Sequence, residues 1–115
     1  YNVAEPDPGR ELAGLAREAG AGLVVRDPLA PRLATAARAP LEFLERDRDQ
    51  TLDQALVGFA LADPAVATVL APVADRDRLA ELAGAADLPS PTTEDLGRLE
   101  ELREARFGLE EGAAR

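Results

Sequence analysis

Few side chains in this chain could do chemistry. All 13 basic residues are Arg, and the sequence has no Lys, His, Cys or Met. Without Cys there is no disulfide framework, thiol nucleophile or thiolate metal site, and without His the commonest general base and zinc ligand are missing. Proton transfer would fall to Asp, Glu or the single Tyr1, a poor set for a freestanding enzyme. No catalytic residue and no metal ligand is assigned.

What remains is a set of charged residues at the ends of predicted elements. Arg76 and Arg78 flank the start of a helix that follows a strand, where backbone amides and the helix dipole favour a phosphate. The competing reading is a solvated pair of cations matched by Asp75, Asp77 or Glu81. Arg26 and Asp27 stand where a strand gives way to a loop, as a rim ion pair or simply a charged loop start. The alternation Arg46, Asp47, Arg48, Asp49 reads as a solvated face, since exposed pairs contribute little. Glu100, Glu101 and Glu104 read as the wet side of a Leu-striped helix.

The elements that would carry these residues follow from hydrophobic periodicity. Residues 22–25 and 66–70 are short apolar runs rich in Val, so they predict strands. Strands with no polar alternation are expected to be covered on both faces, as in parallel sheets flanked by helices. Ligands of such sheets sit past the carboxyl ends of the strands, which points to the loops Arg26-Asp27-Pro28-Leu29 and Ala71-Pro72-Val73. Four helices are predicted. The first carries Leu12, Leu15, Ala16 and Ala19 on one stripe and stops at Gly20. The second opens with Thr51 and Gln54 in capping-box spacing, carries Leu52, Ala55, Leu56, Phe59 and Ala60, and ends before Pro64. The third runs over about residues 76–86 with Asp75 as its cap and Leu79, Leu82, Ala83 and Ala86 aligned. The fourth runs over about 93–106, capped by Thr92, with Leu96, Leu99 and Leu102 inward. Residues 27–50 read as a long polar connection, and residues 1–4 as the tail of a further strand.

This α/β order predicts β-α units joined by right-handed crossovers. At 115 residues the chain is one domain at most, read as a single partial domain over 1–115. Two or three strands leave a sheet edge open, so the expectation is a piece, incomplete alone, with the rest of its sheet in missing sequence upstream. A net charge of −9 argues against nucleic acid and anionic membrane as partners. No apolar run approaches the ~20 residues of a membrane span, and no signal-peptide core is present, so a cytoplasmic location is expected. Arg without Lys, with abundant Ala, suggests a GC-rich bacterial genome.

The run of motifs resembles the carboxyl half of the aldo-keto reductases. It begins with Tyr1-Asn2-Val3, continues through Leu12, Ala16-Arg17-Glu18 and residues 22–30, and includes Thr51, Gln54-Ala55, Phe59 and Pro64. It closes with residues 66–70, Asp87-Leu88-Pro89 and Glu94-Asp95-Leu96. The likeness covers about residues 1–107 and implies the C-terminal portion of a (β/α)8 TIM barrel, its last two to three strands with their helices. The family reduces aldehydes and ketones with NADPH, less often NADH, and its catalytic Asp, Tyr, Lys and His belong to the first half of the barrel. The resemblance therefore implies a segment contributing part of an NADP site, partnered by a missing N-terminal half and a small carbonyl substrate. The residues it carries to that site are Arg26, Asp27, Pro28, Leu29, Pro72 and Arg78.

Pro28, Leu29 and Arg78 match the family pattern. Elsewhere the sequence departs from it: Arg26 stands for the aromatic that stacks on nicotinamide, Asp27 for a Ser, and Pro31 and Arg32 for a Gly pair. Ala71-Pro72 stand for Pro-Gly, Ala74 for the residue reading the 2′-phosphate, and Leu82 for an adenine-contacting Asn. These departures favour an alternative, a degenerate non-catalytic half-barrel acting as a binding or scaffold module. A regulatory relative that no longer binds nucleotide is a third reading.

Overall fold

The computed structural model describes residues 1–30, 35–46 and 48–108, with the side chains of 7–10, 35–37 and 108 left aside. Pro31, Arg32 and Asp47 fall outside the described residues. Helix α1 (Asp7–Ala19) leads to strand β1 (Leu23–Arg26), a 3-10 segment (Thr35–Leu44), helix α2 (Leu52–Leu61), strand β2 (Val66–Leu70), helix α3 (Arg76–Ala83), a 3-10 turn (Gly84–Asp87) and helix α4 (Thr93–Glu104).

Local chemistry sets most boundaries. Gly20 adopts the left-handed conformation (φ 71°) and ends α1, with the Ala21 amide donating to the Ala16 carbonyl at 2.8 Å. Thr51 and Gln54 form the expected reciprocal capping box of α2. Asp75 caps α3 by accepting from the Arg78 amide at 2.8 Å. Thr92 caps α4, and Asp95 completes a second capping box by accepting from the Thr92 amide at 2.9 Å.

β1 and β2 pair in parallel, Val24 beside Thr68, Val25 beside Val69 and Arg26 beside Leu70, with an irregularity between Leu23 and Val24. Gly22 permits this approach, since a Cβ there would lie 2.8 Å from the Ala67 Cβ. The sheet has two strands among the described residues. Residues 1–4 do not form a third. Asn2 instead closes a turn, its Oδ1 accepting from the amides of Ala4 (2.9 Å) and Glu5 (3.0 Å).

Coverage of both strand faces is not observed. Val25 is buried and Val69 packs against Val57, Leu82 and Ala85, whereas Val24 is 58% exposed and Leu70 57%. Helices cover one side of the pair, and the apolar residues that alternate to the other side have no layer among the described residues.

The larger core lies away from the strands. Leu56, Phe59 and Ala55 of α2 meet Leu41 and Leu44 of the 3-10 segment, Leu99 of α4, and Val3. Residues 27–50 are thus not a polar loop throughout: Leu41, Leu44 and Ala30 are core residues. The α1 stripe is also shifted. Ala13 and Ala16 face inward, while Leu12 and Leu15 are 50% and 61% exposed and Ala19 is exposed. Small side chains make the close contact, and the leucines lie on the open side. In α3 Leu82 is buried but Leu79, Ala83 and Ala86 are exposed, because the helix breaks into a 3-10 turn at Gly84 that buries Ala85 instead. On α4, Leu99 is fully buried, Leu102 partly so, and Leu96 is largely exposed.

Candidate functional site

Because the strands are parallel and Arg26 pairs with Leu70, the loops leaving β1 and β2 emerge at the same end of the sheet. Two pieces of the expected site are therefore neighbours: Arg26, Asp27, Pro28 and Leu29 on one side, Ala71 and Pro72 on the other. Leu29 and Ala71 both pack against the Val57–Leu82–Ala85 cluster, which holds the two loop bases together.

The β1 loop is a tight, anchored turn. Asp27 (φ 56°) and Ala30 (φ 52°) adopt left-handed backbone on either side of Pro28 and Leu29, and the Ala30 amide donates to the Asp27 carbonyl at 3.3 Å. Asp tolerates that conformation better than most residues. Pro28 is fully buried, Leu29 partly buried, and the side chains of Arg26 and Asp27 are exposed. The anchor is Asn2, whose Nδ2 donates to the Asp27 carbonyl at 2.9 Å. Asn2 is 1% exposed, and the resemblance alone gave it no role. A short polar side chain amid Tyr1 and Val3 was the available signal.

The β2 corner is arranged differently. Pro72 and Ala74 are exposed. Leu82, which stands for the family pattern's adenine-contacting Asn, is buried with Val57 of α2 and Ala85, so it would not face a ligand. Arg78 does not point to open solvent. Its guanidinium bridges Asp53 of α2 at 2.7 Å and Glu81 of its own helix at 2.9 Å. Arg38 also donates to Asp53, and Thr51 Oγ1 donates to Glu81 Oε2 at 2.7 Å. Burial opposes ionisation of Asp53, yet the hydrogen bonds from Arg78 and Arg38 outweigh it and hold the pKa below the usual value. The hydrogen bond from Thr51, then that from Arg78, lowers Glu81. The hydrogen bonds to Asp53 and Glu81 raise Arg78. Of the partners expected for Arg78, only Glu81 is used as foreseen; Asp53 comes from another helix.

These residues do not fit the phosphates of a nucleotide cofactor. The Arg78 amide of the α3 N-terminus is already capped by a carboxylate and the Arg78 guanidinium is matched by two more, the exposed Arg76 stands between Asp75 and Asp77, and Asp27 places a further negative charge on the facing loop. Among the described residues no group of His, Cys, Asp or Glu could hold a metal ion, and no helix is long and apolar enough to cross a membrane.

Arg46, Arg48 and Asp49 lie on the exposed face expected of them, but Arg48 is not merely solvated. Its guanidinium makes a two-pronged pair with Asp95, at 2.9 and 2.8 Å. That bond, then the Thr92 amide and hydroxyl, lowers Asp95 to about 2 against the cost of burial. Arg48 and Thr92 border a cavity of about 510 Å³ between Leu44, Ala55, Gly58 and Pro91. The spacing Thr92-x-x-Asp95 signals the cap; nothing in the sequence pairs Asp95 with Arg48.

No family model matches the chain, and no curated protein matches it closely in sequence. Among solved structures it is similar to a thermostable aldo-keto reductase determined with the inhibitor epalrestat, at 28% identity and a TM-score of 0.71. The match covers 89% of this chain and 37% of that one. It is similar in fold to the aldo-keto reductase of Bacillus halodurans in its holo form (23% identity, TM-score 0.67) and apo form (23%, 0.63). Those matches cover 89% of this chain and 40% and 41% of the other. The chain thus spans about two fifths of the length of the structures it matches, and its architecture is that of part of an aldo-keto reductase barrel.

Proposed function

We propose that this chain is the carboxyl-terminal segment of an NAD(P)H-dependent aldo-keto reductase of the bacterial cytoplasm, in which a whole barrel reduces small carbonyl compounds by hydride transfer. In this reading β1 and β2 are the last two strands. Their loops border the cofactor cleft, with the rigid Asp27–Ala30 turn as wall, and do not themselves grip the phosphates. The segment alone is inactive, because the proton donor and its partners come from an amino-terminal half that also pairs with the open sheet edges. The observation that carries the reading is the parallel pairing of Arg26 with Leu70, which sets both loops at one end of the sheet.

A second reading, a non-catalytic half-barrel serving as a binding or scaffold module, draws on the occupied Arg78 and Asp75. The coding sequence ahead of Tyr1 separates the two. An in-frame segment bearing Asp, Tyr, Lys and His, whose joint product oxidises NADPH in the presence of a small aldehyde, is the expected result. A stop codon directly before Tyr1 would sink the enzyme reading. The 115-residue chain by itself should quench or enhance NADPH fluorescence without saturation below about 1 mM.

A further inference from the structure

In α/β units the general place for an anion is the N-terminus of the helix after a strand, where unpaired amides and the helix dipole converge. The β2–α3 connection has that form, yet three observations show it filled from within. The Asp75 carboxylate accepts the Arg78 amide at 2.8 Å, so an acid of the chain itself already holds one of the first-turn donors and sets its negative charge beside the others. Asp77 adds a second acid in that turn. The guanidinium of Arg78 turns away to Asp53 at 2.7 Å and Glu81 at 2.9 Å, and Arg38 shares Asp53 with it. Gln54 Nε2 closes the same seam by donating to the Glu81 carbonyl at 2.8 Å.

We propose that the β2–α3 corner is closed to anions and that Arg78 is a positioning residue, a clamp holding α3 on α2. Two cations, Arg38 and Arg78, face the carboxylates of Asp53 and Glu81, so the cluster is balanced; beside it Asp75 and Asp77 outnumber Arg76 and leave the corner with a net negative charge. A phosphate arriving there would have to displace Asp75 from the Arg78 amide and draw Arg78 off two carboxylates that a planar guanidinium bridges well. Without Arg78, Asp53 and Glu81 would face each other across the α2–α3 seam with only Arg38 to balance them. The inference does not depend on carbonyl reduction, and its failure is distinguishable from failure of that reading.

The test titrates inorganic pyrophosphate, then 2′,5′-ADP, into the chain and follows the backbone amide resonances of Arg76, Asp77 and Arg78. No saturable shift is expected up to about 10 mM. In parallel, Arg78→Gln should lower the thermal unfolding midpoint by about 4 °C or more, with Arg78→Lys recovering part of it. Saturable pyrophosphate binding that Arg78→Gln abolishes would overturn the proposal, as would an Arg78→Gln variant that melts with the parent. The titration needs no variant, so it decides even if the substituted chains fold poorly.

Discussion

Arg48 and Asp95, 47 positions apart, meet in a two-pronged ion pair at 2.9 and 2.8 Å. The contact joins the turn after the 3-10 segment to the first turn of α4, where a negative charge is favoured by the helix dipole. Asp95 does two jobs with its two oxygens. Oδ2 also accepts the Thr92 amide and so completes the cap. The pair is unequal in setting: the Asp95 side chain is 4% exposed and that of Arg48 37%.

The pair makes stability depend on pH in one direction. The Arg48 bond holds Asp95 at about 2, against an ordinary value of 3.8. A depressed carboxylate contributes fully above the unfolded value and loses that contribution as pH falls through the folded one. The loss should therefore occur between about pH 4 and pH 2, and amount to on the order of 1–2 kcal/mol once Arg48's exposure is discounted. Thermal melts of Asp95→Asn should lie below the parent at pH 6 and converge with it near pH 2. Parallel curves across that range would contradict the assignment.

Asn2 should matter more than any other residue near the amino end. Its buried side chain makes three hydrogen bonds, one to the Asp27 carbonyl and two from the amides of Ala4 and Glu5. Asn2→Ala should cost about 2–3 kcal/mol, since each partner is left partly buried and unmet. Asn2→Asp keeps the acceptor and loses the donor. It should shift the amide resonances of Asp27 and Ala30 while leaving those of Ala4 and Glu5 largely in place.

Leu41 tests whether the 3-10 segment is part of the core. Fully buried against the α2–α4 core, it should cost about 2–5 kcal/mol when cut to Ala. The adjacent Glu42→Ala should stay within about 0.5 kcal/mol, its only ion pair described being an exposed one with Arg46 at 3.6 Å. Equal chemical-denaturation midpoints for the two variants would place residues 35–44 outside the cooperative unit.

Two glycines should respond oppositely to Ala. At Gly97, inside α4, an added Cβ meets nothing within 4 Å, so Gly97→Ala should stabilise by about 0.5–1 kcal/mol. At Gly22 the same methyl would strike Ala67 of the neighbouring strand at 2.8 Å. Gly22→Ala should lower the melting midpoint, and an increase would mean that the strand pair is looser than described.

Element order, both strands, three of the four caps and the Gly20 stop were legible in the chain, because each rests on neighbours within a few residues. The reductase-like architecture was legible too, as a run of individually weak motifs in the right spacing. What tertiary structure alone decided is which apolar stripe is used and where each charge goes. Periodicity ranks Leu12, Leu15 and Leu79 as inward, but the available partners lie beside Ala13, Ala16 and Ala85, so the leucines stay at the surface. Local spacing pairs Arg78 with its own helix and leaves Arg48 solvated. Only the folding of α2 against α3, and of residue 48 onto α4, brings Asp53 and Asp95 within reach. Ion pairs between residues far apart in sequence carry no local periodicity, and that is why the chemistry of the β2 corner, unlike its position, could not be read from the chain.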